Sequence, residues 1–273
     1  MSAHHAFEPA SVPLLRLELT SADVEVTTRD DPRVDVDVVA LRNDEASLEA
    51  ARAVEVELRE RARPEIVVRQ PRRSGRGFRF REPAIAIRIG CPEGSSIACS
   101  SGSSDLRVRG PIGDLEAKSG SGDVQAEVVH GSLRAGSASG DVELEAVHGD
   151  AHVSTASGDV SVREAHGSLA VNVVSGDISV GSLHGGTRLG SVSGDVEVRA
   201  LCAGDLKVQS VSGDVDIGVG PGLALWLDVS SVSGSTSSDL ELGEKPVEGG
   251  IPVELRVRTV SGDIRVWVSV VRS

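Results

Sequence analysis

Residues 121–174 read SGDVQAEVVHGSLRAGSA, SGDVELEAVHGDAHVSTA and SGDVSVREAHGSLAVNVV, three successive blocks of 18 residues. Ser-Gly-Asp returns at Ser175 and Ser193 with the same spacing, at Ser212 after one inserted residue, and at Ser261. Degenerate copies begin at Ser101 and Ser233. Midway between them runs a second series, His130-Gly131, His148-Gly149, His166-Gly167 and His184-Gly185, whose next member is Cys202-Ala203-Gly204. Glycine therefore falls every nine residues from Gly122 to Gly194. Counted from each glycine, apolar residues sit at +2, +4 and +7, as in Val142, Leu144 and Val147, or Leu169, Val171 and Val174. The first two offsets have the period of a strand with one buried face. The third turns a corner, where glycine supplies backbone freedom.

A nine-residue side cannot bury its own apolar face, whereas stacked copies can. A helix is excluded, because apolar residues do not recur at i+3/i+4 and glycine every nine residues would break it. The expected fold is all-β: a single-stranded parallel β-solenoid (β-helix) with 18-residue coils. The composition agrees. Glycine supplies 31 residues, while Phe, Tyr and Trp together supply five. A narrow core has room for Val, Leu, Ile and Ala but little for rings.

Outside the repeat the pattern loosens. Residues 1–13 are expected to be disordered, and 14–273 to form one continuous solenoid. Within it, 14–100 make irregular N-terminal coils, 101–217 the regular repeat, and 218–273 longer coils ending in a cap. Asn43 to about Arg52 reads as one short helix inserted between strands, with an N-cap candidate and Ala, Leu and Glu content. The last strand, residues 264–268, is expected to cover the core, since an exposed terminal strand templates aggregation.

Composition also narrows function. Base-stacking platforms need aromatic residues, and the net charge of −13 disfavours general nucleic-acid binding. Cys91, Cys99 and Cys202 are too few and too scattered for a disulfide framework and fit a reducing compartment. The first residues lack the basic and apolar regions of a signal peptide, and no run of 18 apolar residues exists. A cytoplasmic location without a transmembrane segment is the expectation, with peripheral envelope association left open.

Stacking at 18 residues creates ladders. Asp123, Asp141, Asp159, Asp177, Asp195 and Asp214 fall in one column. Carboxylates this close raise one another's pKa unless something intervenes. Bonding to turn N–H groups is the favoured reading; a row of weak calcium sites is the alternative, although a hard cation needs six or more oxygens. His130, His148, His166 and His184, continued by Cys202, form a second column. Zinc takes such ligands, but imidazoles stacked in one direction suit tetrahedral geometry poorly, so a surface turn ladder is expected. Ser, His and Asp recur in every coil without a nucleophile elbow, which is no hydrolase signature. No catalytic residue and no cofactor is assigned.

Outward positions on the Asp side include Glu127, Glu143, Glu145, Glu197 and Asp216 against Arg163 and Arg199; the His side carries Arg134, Arg188 and Lys207. One wall is acidic and the other mildly basic, which could steer a protein partner or pair solenoids. Residues 69–82 hold six arginines, among them Arg72, Arg73, Arg76 and Arg79, and read as an exposed loop able to contact an anion.

Three stretches carry a resemblance: the repeated [AV]SGD[VI]xV unit, LRLELTSADVEV at 15–26, and IRIGCPEGSSIACSSGSSDLRVRG at 87–110. Over roughly residues 14–270 the chain resembles the bacterial β-solenoid family of unknown function labelled "putative adhesin". The resemblance implies the solenoid fold, no enzymatic activity, and an envelope association in some relatives. The expected role is a non-enzymatic structural or interaction protein whose charged walls bind a protein partner or a second copy. The alternative is a calcium-responsive module built on the Asp column.

Overall fold

Inward residues of each rung are short and aliphatic, and that sets how the strands stack. In a computed structural model, which describes residues 2–71, 83–240 and 250–269, the chain forms two compact units, Met1–Gly140 and Asp141–Ser273. Their boundary falls inside the regular repeat.

The C-terminal unit has two sheets of parallel strands. One runs Val142–Val147, Val160–Ala165, Ile178–Leu183, Val196–Leu201, Val215–Val219, Ile264–Val268, Thr236–Ser238. The other runs Ala151–Ser157, Leu169–Ser175, Thr187–Ser193, Leu206–Ser212, Ile251–Ser261, Leu223–Ser233. Register follows the 18-residue spacing, so Val160 faces Ile178 and Ile178 faces Val196. These columns are closed to solvent. None of the described aromatic residues joins the core: Phe7 and Trp267 are half-buried and Trp226 is 55% exposed.

The two sides of a coil differ in a way the common +2/+4/+7 reading hides. On the Asp side, pairing skips the +5 residue (Glu145, Arg163, Gly181), and this irregularity brings +7 inward at Val147, Ala165 and Leu183. Such a bend, repeated at the same position in successive rungs, reverses the face on which later residues fall. On the His side the pairing is unbroken through +6, which points in (Val173, Ser191, Ser210), and then skips +7, which points out. Val174 is therefore 53% exposed, not buried as its offset suggests.

The N-terminal unit corrects the single-stranded, all-parallel expectation. Leu14–Leu19, Asp23–Arg29, Ser96–Ser101, Asp105–Ile112, Leu115–Ser119, Val124–Val129 and Leu133–Ser139 stack in parallel. Three other pairs are antiparallel: Ser2–Phe7 on Val34–Ala40, Val34–Ala40 on Ile85–Pro92, and Glu55–Arg59 on Glu65–Arg69. Only five residues, 60–64, link the last two strands, and a short link enforces the antiparallel sense. Residues 2–7 are thus a strand, not part of a disordered tail; pairing gives their backbone groups partners, and His4 Nδ1 lies 2.8 Å from Asp37.

The helix forms at Glu45–Arg52, capped by Asp44, whose carboxylate accepts the Ser47 N–H at 2.7 Å. A second correction concerns the cap. Ile264–Val268 does not end the stack but lies between Val215–Val219 and Thr236–Ser238, and Ile251–Ser261 lies between Leu206–Ser212 and Leu223–Ser233. The chain skips a rung and then returns to fill it. The inserted rung carries the better-buried row, Val253, Leu255 and Val257, at 3%, 0% and 0% exposure.

Candidate interaction surface

The Ser-Gly-Asp turn needs its glycine twice over. Gly158, Gly176, Gly194, Gly213 and Gly262 have φ of 142, 138, 138, 128 and 142°, a region side chains avoid. A Cβ at Gly176 would also lie 2.3 Å from the carbonyl oxygen of Gly158. With the turns so closely stacked, each Asp meets the next rung's backbone. Asp141 accepts the N–H of Asp159 at 2.8 Å, Asp159 that of Asp177 at 2.9 Å, Asp177 that of Asp195 at 2.8 Å, and Asp195 that of Asp214 at 2.8 Å.

Asp263 continues the ladder by accepting Ser235 N–H, and in the N-terminal unit Asp105 accepts the N–H of Asp123. Asp105 and Asp263 were not in the sequence-derived column; the register alone would have added them. The carboxylates thus staple rungs together, as the turn reading expects. Among the described residues no group of three or more His, Cys, Asp or Glu is arranged to hold a metal ion.

The opposite corner has its own ladder. Asp114 accepts from the Ser132 N–H at 2.8 Å and hydroxyl at 2.9 Å, and Asp150 does the same with Ser168. The backbone N–H of Ser132, then its hydroxyl, Ser96 and Arg63, hold the Asp114 carboxyl below the usual range. For Asp150 the Ser168 hydroxyl leads, and for Asp263 the Ser235 N–H. The signal was present in the sequence: after the mid-coil glycine, Asp114, Ser132, Asp150 and Ser168 alternate acceptor and donor.

The histidines stack as rings. His148 and His166 have centroids 4.7 Å apart and planes 8° apart; His166 and His184 are 5.0 Å and 13° apart. Parallel rings present their nitrogens sideways and do not enclose an ion. Cys202 is half-buried, with its thiol 3.9 Å from the Ala200 carbonyl. His130 belongs to the N-terminal unit. Arg72, Arg73, Arg76 and Arg79 lie outside the described residues.

What the sequence reading missed is a ridge. The outward +7 residues of the C-terminal unit's second sheet, which the rung-to-rung pairing skips, line up between paired neighbours as Val174, Val192, Val211, Val260 and Val232, at 53, 48, 48, 51 and 83% exposure. Beside them run the exposed serines Ser175, Ser193, Ser212, Ser261 and Ser233, and then the glycine and Asp ladder. The walls on either side carry charge as expected. Arg188, Lys207 and Arg256 stand in one row of the ridge's own sheet. Glu197, Asp216 and Arg265 stand in one row of the other. Some wall charges are paired locally, as in Arg163–Glu145 at 2.6 Å and Arg199–Glu197 at 3.2 Å. No described helix is long and apolar enough to cross a membrane.

These features define an all-β repeat protein of stacked strands, with its turns occupied in holding rungs together. The chain belongs to the Toastrack DUF4097 family, which matches residues 14–267. A crystal structure of a Bacteroides fragilis protein called a "putative adhesin" shares the fold at 11% identity and TM-score 0.50, covering 97% of each chain. A Parabacteroides distasonis protein called a "Putative lipid binding protein" aligns at 13% identity and TM-score 0.42, over 97% of this chain and 96% of that one. No curated protein matches the chain by sequence.

Proposed function

We propose that the protein is a non-enzymatic interaction scaffold, and that the valine ridge with its two charged walls is where a protein partner binds. The observation that carries this is the ridge. Five valines at one position of successive rungs face solvent, whereas valines at the inward positions of the same sheet, such as Val171, Val173 and Val208, are closed to it, and contiguous exposed apolar surface marks interaction sites. An apolar line flanked by a basic row and a row of mixed charge also has the layout of an interface core with a polar rim. The absence of catalysis in this reading rests on repetition: the Ser-Gly-Asp turn recurs in successive rungs, and its carboxylates are taken up by the next rung's backbone N–H groups. The adhesin name of a structural neighbour is in line with a contact role and brings no residue with it. Free, buried Cys91 and Cys99 support a reducing compartment such as the cytoplasm.

The test is cross-linking with mass-spectrometric mapping in an extract of the native host. Wild type is compared with a Val192→Ser, Val211→Ser, Val260→Ser variant of equal melting temperature. The reading expects partner cross-links beside the ridge that the variant loses. Cross-links that persist in the variant, or that map only to the N-terminal unit, would overturn it.

A further inference from the structure

Among the described residues, Leu223–Ser233 is the outermost strand of its sheet in the C-terminal unit, paired on one side only, with Ile251–Ser261. Its inward residues Leu225, Leu227 and Val229 are half-buried, whereas their neighbours one rung in, Val253, Leu255 and Val257, are closed to solvent. The difference is the cover that one more strand would give. Trp226 and Val232 on the same strand are 55% and 83% exposed.

Exposed edge strands are usually blunted by charges, by proline, by shortness or by a covering element. The N-terminal unit uses these devices. Its edge strand Glu55–Arg59 has three charged residues in five. Its other edge strand, Ser2–Phe7, is touched by the helix Glu45–Arg52. Leu223–Ser233 is long, its 11 residues, LALWLDVSSVS, contain no Lys, Arg or Pro, and no described strand pairs with its free edge. The single charge, Asp228, is already held by Arg256 at 3.2 Å and Arg258 at 3.6 Å.

We propose that this edge joins two copies of the chain by antiparallel pairing of their Leu223–Ser233 strands about a two-fold axis at Leu227. A two-fold interface must be self-complementary, and this strand is. Centred on Leu227, Leu225 meets the second copy's Val229, Leu227 meets its own equivalent, and Trp226 meets Asp228. The apolar row is covered along its length, and the two Asp228 carboxylates stay apart. With the axis at Leu227 the strands overlap over residues 223–231; nine residues extend about 30 Å, and two sheets about 10 Å apart with outer side chains make an end about 20 Å thick. That gives about 600 Å² per copy and about 1,200 Å² in all, at the lower end of the range of stable interfaces.

Sedimentation equilibrium on the whole chain between about 1 and 200 μM tests this. Wild type should rise from the 28.3 kDa monomer mass to twice that value. Leu227→Lys, which puts two ammonium groups on the axis, should stay monomeric with an unchanged circular dichroism spectrum. Should that variant fail to fold, hydrogen exchange of wild type decides: the amides of 223–233 that do not face Ile251–Ser261 should slow as concentration rises. A wild type monomeric throughout, or a folded Leu227→Lys dimer, overturns the proposal. So do free-edge amides, those that do not face Ile251–Ser261, already protected in the dilute monomer, which would mean that the chain covers its own edge.

Discussion

Gly194 and Gly186 lie eight residues apart and are held to opposite standards. Gly194 has φ of 138°, and a Cβ there would fall 2.0 Å from the Gly176 carbonyl oxygen. Gly194→Ala must displace a stacked rung, with an expected loss of about 2–4 kcal/mol. Gly186 has no atom within 4 Å of its Cβ position and no left-handed backbone, so Gly186→Ala should be neutral or gain up to about 1 kcal/mol. Urea denaturation of the two variants checks both; equal effects would contradict the stacked-turn geometry. Asp114 makes a pH-dependent contribution. Its folded pKa lies below the ordinary Asp value, so the unfolded chain takes up protons first as pH falls. The stabilisation is complete above about pH 4, the unfolded value, and disappears as pH falls through the folded one. Asp114→Asn should therefore flatten the fall of melting temperature below about pH 4; parallel curves for variant and wild type would remove Asp114 from the account.

Within one strand, Leu169–Ser175, neighbouring valines part company: Val173 is 2% exposed and Val174 is 53%. Val173→Asp should unfold the chain, since an unpaired charge would enter the core. Val174→Asp should cost less than about 0.5 kcal/mol, as for an ordinary surface change. Circular dichroism during heating separates them. The 18-residue period made the stacking partners, the glycine corners and the Asp column legible before any coordinates, because register in a repeat is a local property. The bend was not legible, since apolar residues at +7 look alike whether they turn inward or stay out. The antiparallel pairs before residue 93 and the exchanged order of the last rungs depend on contacts far apart in sequence, which no periodicity encodes.

At the scale of the molecule, the account separates residues that build rungs from residues that meet partners. Turn glycines, carboxylates and inward aliphatics build. The valine ridge and its charged walls meet. Cysteine labelling of the ridge tests this division most directly. Burial pushes the thiols of Cys91 and Cys99 up to about 11 and about 12, so they remain unreactive near neutral pH. Replacing half-buried Cys202 by Ser then leaves a single reporter at Val192→Cys. Its maleimide labelling rate is measured in the purified protein and in intact host cells treated with a permeant reagent. The account predicts fast labelling of the purified protein and at least a several-fold slower rate in cells, where a partner covers the ridge. Equal rates in the two settings, or a purified protein that resists labelling, would contradict it.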